Sequence, residues 1–154
     1  MSAFSELPEG EATGRIAEIY AEIRHFYGVP YVSSLQRHLA TLPGVLEWAW
    51  DAVRPGFANG VLPEAAAEAA RGVSLSPLPP LSPAALRLLG VDDPARGVVR
   101  DVCLSFETVA PLNMAMGATL RALLTGHPAG RRGLADTGWQ PPTALPVSYT
   151  HLTL

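Results

Sequence analysis

The sequence predicts an all-α fold of about seven helices of unequal length. Apolar residues recur at three- and four-residue spacing up to Thr125, the signature of helices with one buried face. No stretch alternates apolar and polar residues for long enough to make a strand. Ser-Pro and Asp-Asp-Pro steps stand where helices would start, because Pro in a first turn gives up an N–H that has no partner there.

The first helix is striped by Ile16, Ile19, Tyr20, Ile23 and Tyr27, with Glu18, Glu22 and Arg24 off the stripe; Thr13 is placed to cap it and Gly28 to end it. A second is expected over residues 31–42, with Val32, Leu35, Leu39 and Leu42 inward. Pro43 suits the first turn of a third, which would bury Val45, Trp48, Ala49, Ala52 and Val53 and stop near Pro55-Gly56. Pro63 opens an Ala-rich helix to about Arg71. Residues 72–81 form a Pro-rich, extended connector. Ser82-Pro83 starts a short helix that ends at Gly90. Asp92-Asp93-Pro94 starts another, its acids at the positive end of the helix dipole, with Val98, Val99, Val102, Cys103 and Phe106 inward. Pro111 is expected to break it, leaving a last helix over 112–125 with Leu112, Met116, Leu120, Leu123 and Leu124 inward.

Composition bounds the function. With 48% hydrophobic and 16% charged residues the chain is too apolar for a disordered one. A net charge of -3 offers no basic excess for a phosphate backbone, so no nucleic-acid partner is expected. All the basic residues are Arg; without Lys there is no Schiff-base or P-loop chemistry. A single Cys excludes a disulfide framework and a CxxC redox pair. No signal peptide or membrane span is legible, so the expected location is cytoplasmic with no membrane partner.

Three segments are expected: one helical unit over 1–125, a Gly/Pro-rich linker over 126–145, and a tail over 146–154. The tail, PVSYTHLTL, reads as the in-frame translation of a transposase adapter used in sequencing libraries, and its Ser, Tyr, Thr and His depart from the Ala-, Arg-, Pro- and Gly-rich chain before it. The expectation is that it is not native and that the chain is the front part of a longer protein.

Few side chains offer chemistry. Cys103 lies on the expected apolar stripe and reads as a small buried hydrophobe. His25, His38 and His127 have no metal-ligand spacing, so no metal site is expected. Glu18 and Glu22 read as solvated surface, Glu107 as the edge of a stripe, and Trp48 and Trp50 as packing residues. Asn113, near the expected start of the last helix, reads either as a residue satisfying backbone N–H groups or as a pocket amide. Tyr31 and Ser34 share one face of the second helix, with the Tyr31 hydroxyl at the rim.

Taken in order, the run IAEIYAEIRHFYGVPYVSSLQRHLATLPGVLEWAW, the connector LSPLPPLSPAALRLLGVDD and the segment APLNMAMGATLRALL resemble the DehI-type (group I, non-stereospecific) 2-haloacid dehalogenases over about Glu11 to Thr125. The resemblance implies an all-α protein of two similar halves packed as a pseudo-dimer around the active site. It implies hydrolysis of a 2-haloalkanoic acid without cofactor or metal: an Asp general base activates water, which attacks C2 directly and inverts it. That Asp belongs to the second half; Leu35 stands at the related position here, so no catalytic residue is expected in this chain. By resemblance Tyr31, Ser34 and Asn113 line the substrate pocket. The family's Asn-Pro before the last helix is Ala110-Pro111 here, a departure that bears on haloacid activity. Its partner in the full-length protein would be a small carboxylic acid, and the half by itself would self-associate through the apolar face its missing half covers. Two further readings are an AhpD/carboxymuconolactone decarboxylase-like protein lacking the redox CxxC, and a non-catalytic helical module that binds a partner chain.

Overall fold

A computed structural model describes residues 5–126 and 138–143. Among them the chain forms six α-helices and one 3-10 turn, and no strand. A 3-10 turn at Glu9–Glu11 precedes α1 (Gly14–Tyr27), α2 (Ser34–Leu39), α3 (Val45–Ala58), α4 (Val61–Arg71), α5 (Pro83–Leu88) and α6 (Asp93–Leu124). The all-α expectation holds, with one helix fewer because the last two are one. Most of the expected linker and all of the tail over 146–154 lie outside the described residues, as does His127.

α1 forms as its stripe predicts. Ile19, Tyr20, Ile23 and Tyr27 are buried on one face. Gly28 ends the helix at φ 64, with its N–H on the carbonyls of Arg24 and His25, a left-handed cap that a side chain would strain. α2 departs from expectation. It begins only at Ser34: Val32 N–H donates to Glu9 Oε1 at 2.7 Å instead of joining a helix, and Ser33 is extended. This late start resets the phase. Gln36 becomes the buried residue of α2, while Leu35 is 39% exposed and Leu42 is exposed.

α3 likewise starts after Pro43, from Gly44, and turns Leu46, Ala49, Trp50, Val53 and Phe57 inward. Ala49 and Val53 are buried as expected, whereas Trp48 is 46% exposed and Val45 only half-buried. The helix runs through Pro55, an exposed residue whose missing N–H leaves the carbonyl of exposed Asp51 to water. α4 begins two residues before Pro63, which sits in its first turn. Ser82 and Asp92 cap α5 and α6 as their sequence predicts, accepting from Ala85 N at 3.1 Å and Ala95 N at 2.8 Å.

Pro111 does not break α6. The acceptor it leaves unpaired is the carbonyl of Glu107, an exposed residue that water serves, so the helix continues. α6 packs chiefly on α4, then on α3 and α1. Its buried residues are Ser105, Val109, Leu112 and Met116; Leu112 and Met116 are inward as expected and Leu120 packs against the core, whereas the stripe expected over the first half of the helix is not the buried one. Val99, Phe106, Leu123 and Leu124 are exposed, and Cys103 is exposed rather than buried. Both sides of this helix are apolar, and periodicity alone does not say which one packs; the side continuous with Leu112 and Met116 does.

The core is a single cluster from α1, α3, α4 and the second half of α6, centred on Trp50 and Phe57, whose rings stack at 5.5 Å. Burying side chains of this size is what stabilises the unit, at about 3–5 kcal/mol for each large aromatic on truncation to Ala. Nothing between residues 67 and 104 is buried. α5, the connector and the first turns of α6 are thus an exposed arm carrying Leu75, Leu78, Leu88 and Leu89 into solvent.

Candidate functional site

The polar residues worth attention gather where the start of α2 meets the middle of α6. Ser33 Oγ donates to Gln36 Oε1, Gln36 Nε2 donates to Asn113 Oδ1 at 2.7 Å, and Asn113 Nδ2 donates back to Ser33 Oγ at 3.0 Å. The three side chains close a ring in which every donor points the same way round. In such a ring each bond polarises the next. Gln36 is fully buried, and its Nε2 also donates to the Tyr27 hydroxyl at 3.3 Å, which in turn contacts Met116 Sδ at 3.8 Å. Burial pushes the Tyr27 phenol well above its usual range, against a smaller opposing effect of the Gln36 bond, so Tyr27 stays a neutral hydroxyl.

This arrangement decides the roles of the three expected pocket residues. Asn113 lies in the interior of α6, so it caps nothing; it is an inward amide, as the pocket reading requires, but its contacts are to protein. Tyr31 lies before α2 rather than on it, with its hydroxyl 3.2 Å from Ser105 Oγ. Ser34 is exposed, 3.4 Å from an Arg37 guanidinium nitrogen, and Tyr31 and Asn113 bond to different partners, so the three do not form one group. Leu35 and Ala110 are also at the surface. Sequence reasoning missed Gln36 and Ser105. For Gln36 a signal existed: Ser33-Ser34-Leu35-Gln36 has the Ser-x-x-Gln spacing of a helix start, which places Gln36 in the first turn of a helix beginning at Ser34. Ser105 carried no such signal.

Other titratable groups are structural. Glu22 is not simply solvated: it accepts from Trp50 Nε1 at 2.5 Å and from Arg54 Nε at 2.9 Å. Burial raises its pKa, but the Trp50 and Arg54 bonds together outweigh that and hold the carboxyl below its usual range. Arg24 pairs with Glu9 at 2.5 Å and ties the 3-10 turn to α1. Glu107 is exposed, as its edge position predicts. Among the described residues no group of His, Cys, Asp or Glu could hold a metal ion.

One cleft of about 380 Å³ lies between α4 and α6, with Phe26, Ala66, Ala70 and Leu112 among its walls and Trp139 and Pro142 against it. Arg71 and Glu107, both exposed, are its charged lining residues. The cleft does not include Tyr31, Ser34 or Asn113. Nothing in it pairs a base with a nucleophile, and its chemistry is that of a mainly apolar groove.

Comparison with protein-family models, with curated proteins and with solved structures finds no match for this chain. No helix among the described residues is long and apolar enough to cross a membrane.

Proposed function

We propose that this chain is the first, wall-forming half of a two-repeat α-helical hydrolase resembling the DehI-type 2-haloacid dehalogenases. The observation that carries the reading is the outer face of α6. In the first half of the helix it is apolar yet uncovered, with Val99 53% and Phe106 58% exposed, while the face of Ser105, Val109, Leu112 and Met116 is packed against the core. A face of this kind suits a helical partner better than water. Leu35, at the position related to the base, is at the surface, where it can be apolar wall but not a proton acceptor.

In this reading the second half supplies the Asp. Its carboxylate takes a proton from water, the water oxygen bonds to C2 of the haloacid, the carbon–halogen bond breaks and halide leaves. The first half contributes shape and excludes solvent. The test is halide release from 2-chloropropionate by the product of the gene extended downstream of Leu145. Release that depends on an Asp in the downstream half is expected, with none from the 154-residue chain. No release from the extended product, or release indifferent to that Asp, overturns the reading.

A second reading, a non-catalytic helical module, is favoured by the Ser33–Gln36–Asn113 ring, whose hydrogen bonds are spent on one another rather than on a ligand. Its α6 face would then serve association alone. The AhpD-like alternative gains nothing from Cys103, which is a lone exposed thiol.

A further inference from the structure

The cleft between α4 and α6 has a third side that neither helix supplies. Trp139, Gln140 and Pro142 line it together with Ala66 and Ala70 of α4 and Pro111 of α6. α6 ends at Leu124, about 20 Å beyond Pro111 at 1.5 Å per residue, so residues 138–143 lie well back along the helix from its end. Trp139 is half-buried there, while Gly138, Gln140, Pro142 and Thr143 are exposed. Pro141 and Pro142 carry no N–H, so no backbone donor fastens the stretch at these two positions.

Pro142 has a seat, and it is Gly28, the buried residue that ends α1. A Cβ at Gly28 would come 2.4 Å from Pro142 Cγ, 3.1 Å from Pro142 Cβ and 3.1 Å from the Pro142 carbonyl oxygen. Ring and carbonyl belong to one rigid residue, so no change of rotamer relieves all three contacts, and the segment would have to shift as a whole. We infer that residues 138–143 are a strap, seated by Pro142 on Gly28, that closes the α4–α6 cleft and opens it to small apolar molecules when it lifts. Gly28 then serves twice. Its φ of 64 ends α1, and its missing side chain leaves the room that Pro142 occupies.

The strap can lift without unfolding what lies beneath it. Docking hides one half-buried indole and part of one proline, whereas the core that holds the helices together is made of fully buried side chains from α1, α3, α4 and α6 and includes no strap residue. A Pro-Pro step favours extended geometry whether free or docked, so seating it costs little chain entropy and the balance between the two states is shallow. Under the strap the walls are apolar, with Phe26, Ala66 and Leu112, and the charges of Arg71 and Glu107 are exposed. At about 380 Å³ the cleft has the size of a small-molecule site. Gly44 supplies a matched control: its φ is 74, and a Cβ there would meet nothing within 4 Å. Ala at Gly44 therefore brings the same backbone strain as Ala at Gly28 without touching the strap.

The indole N–H resonance of Trp139 in the whole chain, assigned by its loss in Trp139→Phe, reads the strap. In the wild type it should stand apart from the position of a free indole. Gly28→Ala should move it to the free position with helix content unchanged, and Gly44→Ala should leave it in place. Pro142→Gly should release the strap without altering the end of α1, so the test survives if Gly28→Ala folds poorly. Anilinonaphthalene sulfonate fluorescence reads the cleft. Both glycine variants carry the same exposed arm, so its contribution cancels, and Gly28→Ala should bind the dye about threefold or more tighter than Gly44→Ala, because apparent affinity scales with the open fraction. Adding Ala70→Trp, which fills the cleft, should remove that gain. The excess fall in melting temperature of Gly28→Ala over Gly44→Ala should vanish in a Pro142→Gly background, where the strap no longer has a ring to seat. A free Trp139 signal in the wild type, equal Trp139 signals in the two glycine variants, an excess that survives Pro142→Gly, or release without a gain in dye binding overturns the inference. Halide release from the extended gene product is a separate readout, so the strap stands or falls independently of the hydrolase reading.

Discussion

Replacing Gln36 by Leu removes the residue on which the α2–α6 junction turns. Leu fills nearly the same volume, so no cavity opens and the loss is polar. Gln36 Nε2 donates to Asn113 Oδ1 at 2.7 Å and lies 3.3 Å from the Tyr27 hydroxyl, while Gln36 Oε1 accepts from Ser33. Asn113 and Ser33 are half-buried and can recover partners from water; the Tyr27 hydroxyl is buried and keeps only Met116 Sδ. One strong amide bond lost at about 1 kcal/mol, plus one buried oxygen left short of a donor at about 1–2 kcal/mol, predicts a destabilisation of about 2–3 kcal/mol. At about 2–4 °C per kcal/mol for a chain of this size, the melting temperature falls by roughly 5–10 °C. Urea unfolding followed by far-UV circular dichroism measures it, and the slope against urea should not change. A cycle with Asn113→Ala isolates the ring: the two losses should overlap by about 1 kcal/mol, because either substitution opens it. A loss under about 0.5 kcal/mol, or two strictly additive losses, would refute the closed ring.

Three further outcomes follow from particular contacts. Gly28 and Gly44 both have positive φ, at 64 and 74, but a Cβ on Gly28 would lie 2.4 Å from Pro142 Cγ whereas one on Gly44 meets nothing within 4 Å. Ala at either should cost about 1 kcal/mol of backbone strain, and Gly28→Ala measurably more in the same urea melts. Glu22 has a lowered pKa in the folded state, so its contribution is present above the usual carboxylate range and fades as pH falls through the folded value; Glu22→Gln should flatten the acid limb of the stability–pH profile. Tyr27 has a raised pKa, so the fold holds that proton more tightly than the unfolded chain does. Stability should decline as pH rises above about 10, and Tyr27→Phe should lessen that decline in alkaline unfolding curves.

Expectation and structure part where a helix start or an exposed carbonyl, rather than apolar spacing, decides the outcome. Apolar spacing from residue 31 predicts Val32, Leu35, Leu39 and Leu42 inward; Val32 is buried, but the helix starts at Ser34 and turns Gln36 inward, leaving Leu35 and Leu42 exposed. The shift comes from Glu9, which is remote in sequence and reaches the Val32 N–H at 2.7 Å. α3 moved by the same logic, from Trp48 to Trp50, once Gly44 rather than Pro43 set its first turn. Pro111 predicts a break, yet its missing bond falls on the carbonyl of exposed Glu107 and α6 passes straight through. Of the candidate pocket residues, Asn113 reads from sequence either as a helix-start residue or as a pocket amide, and only its place in the interior of α6 decides for the inward amide. Its partners, Gln36 and Ser33, come from residues about eighty positions away and no local pattern names them.

The sequence by itself determined the class of the protein: helical periodicity, caps at Ser82 and Asp92 and the left-handed stop at Gly28 are local, and local geometry settles them. It also determined which chemistries are barred, since a chain without Lys and with one Cys cannot perform them. Only the tertiary structure decided which side of α6 is core and which is open. Both sides are apolar, burial depends on what α1, α3 and α4 present to them, and that is a property of the assembled helices rather than of any one segment. The same assembly closed the Ser33–Gln36–Asn113 ring, because a hydrogen bond between distant residues exists only once packing has brought them within 3 Å.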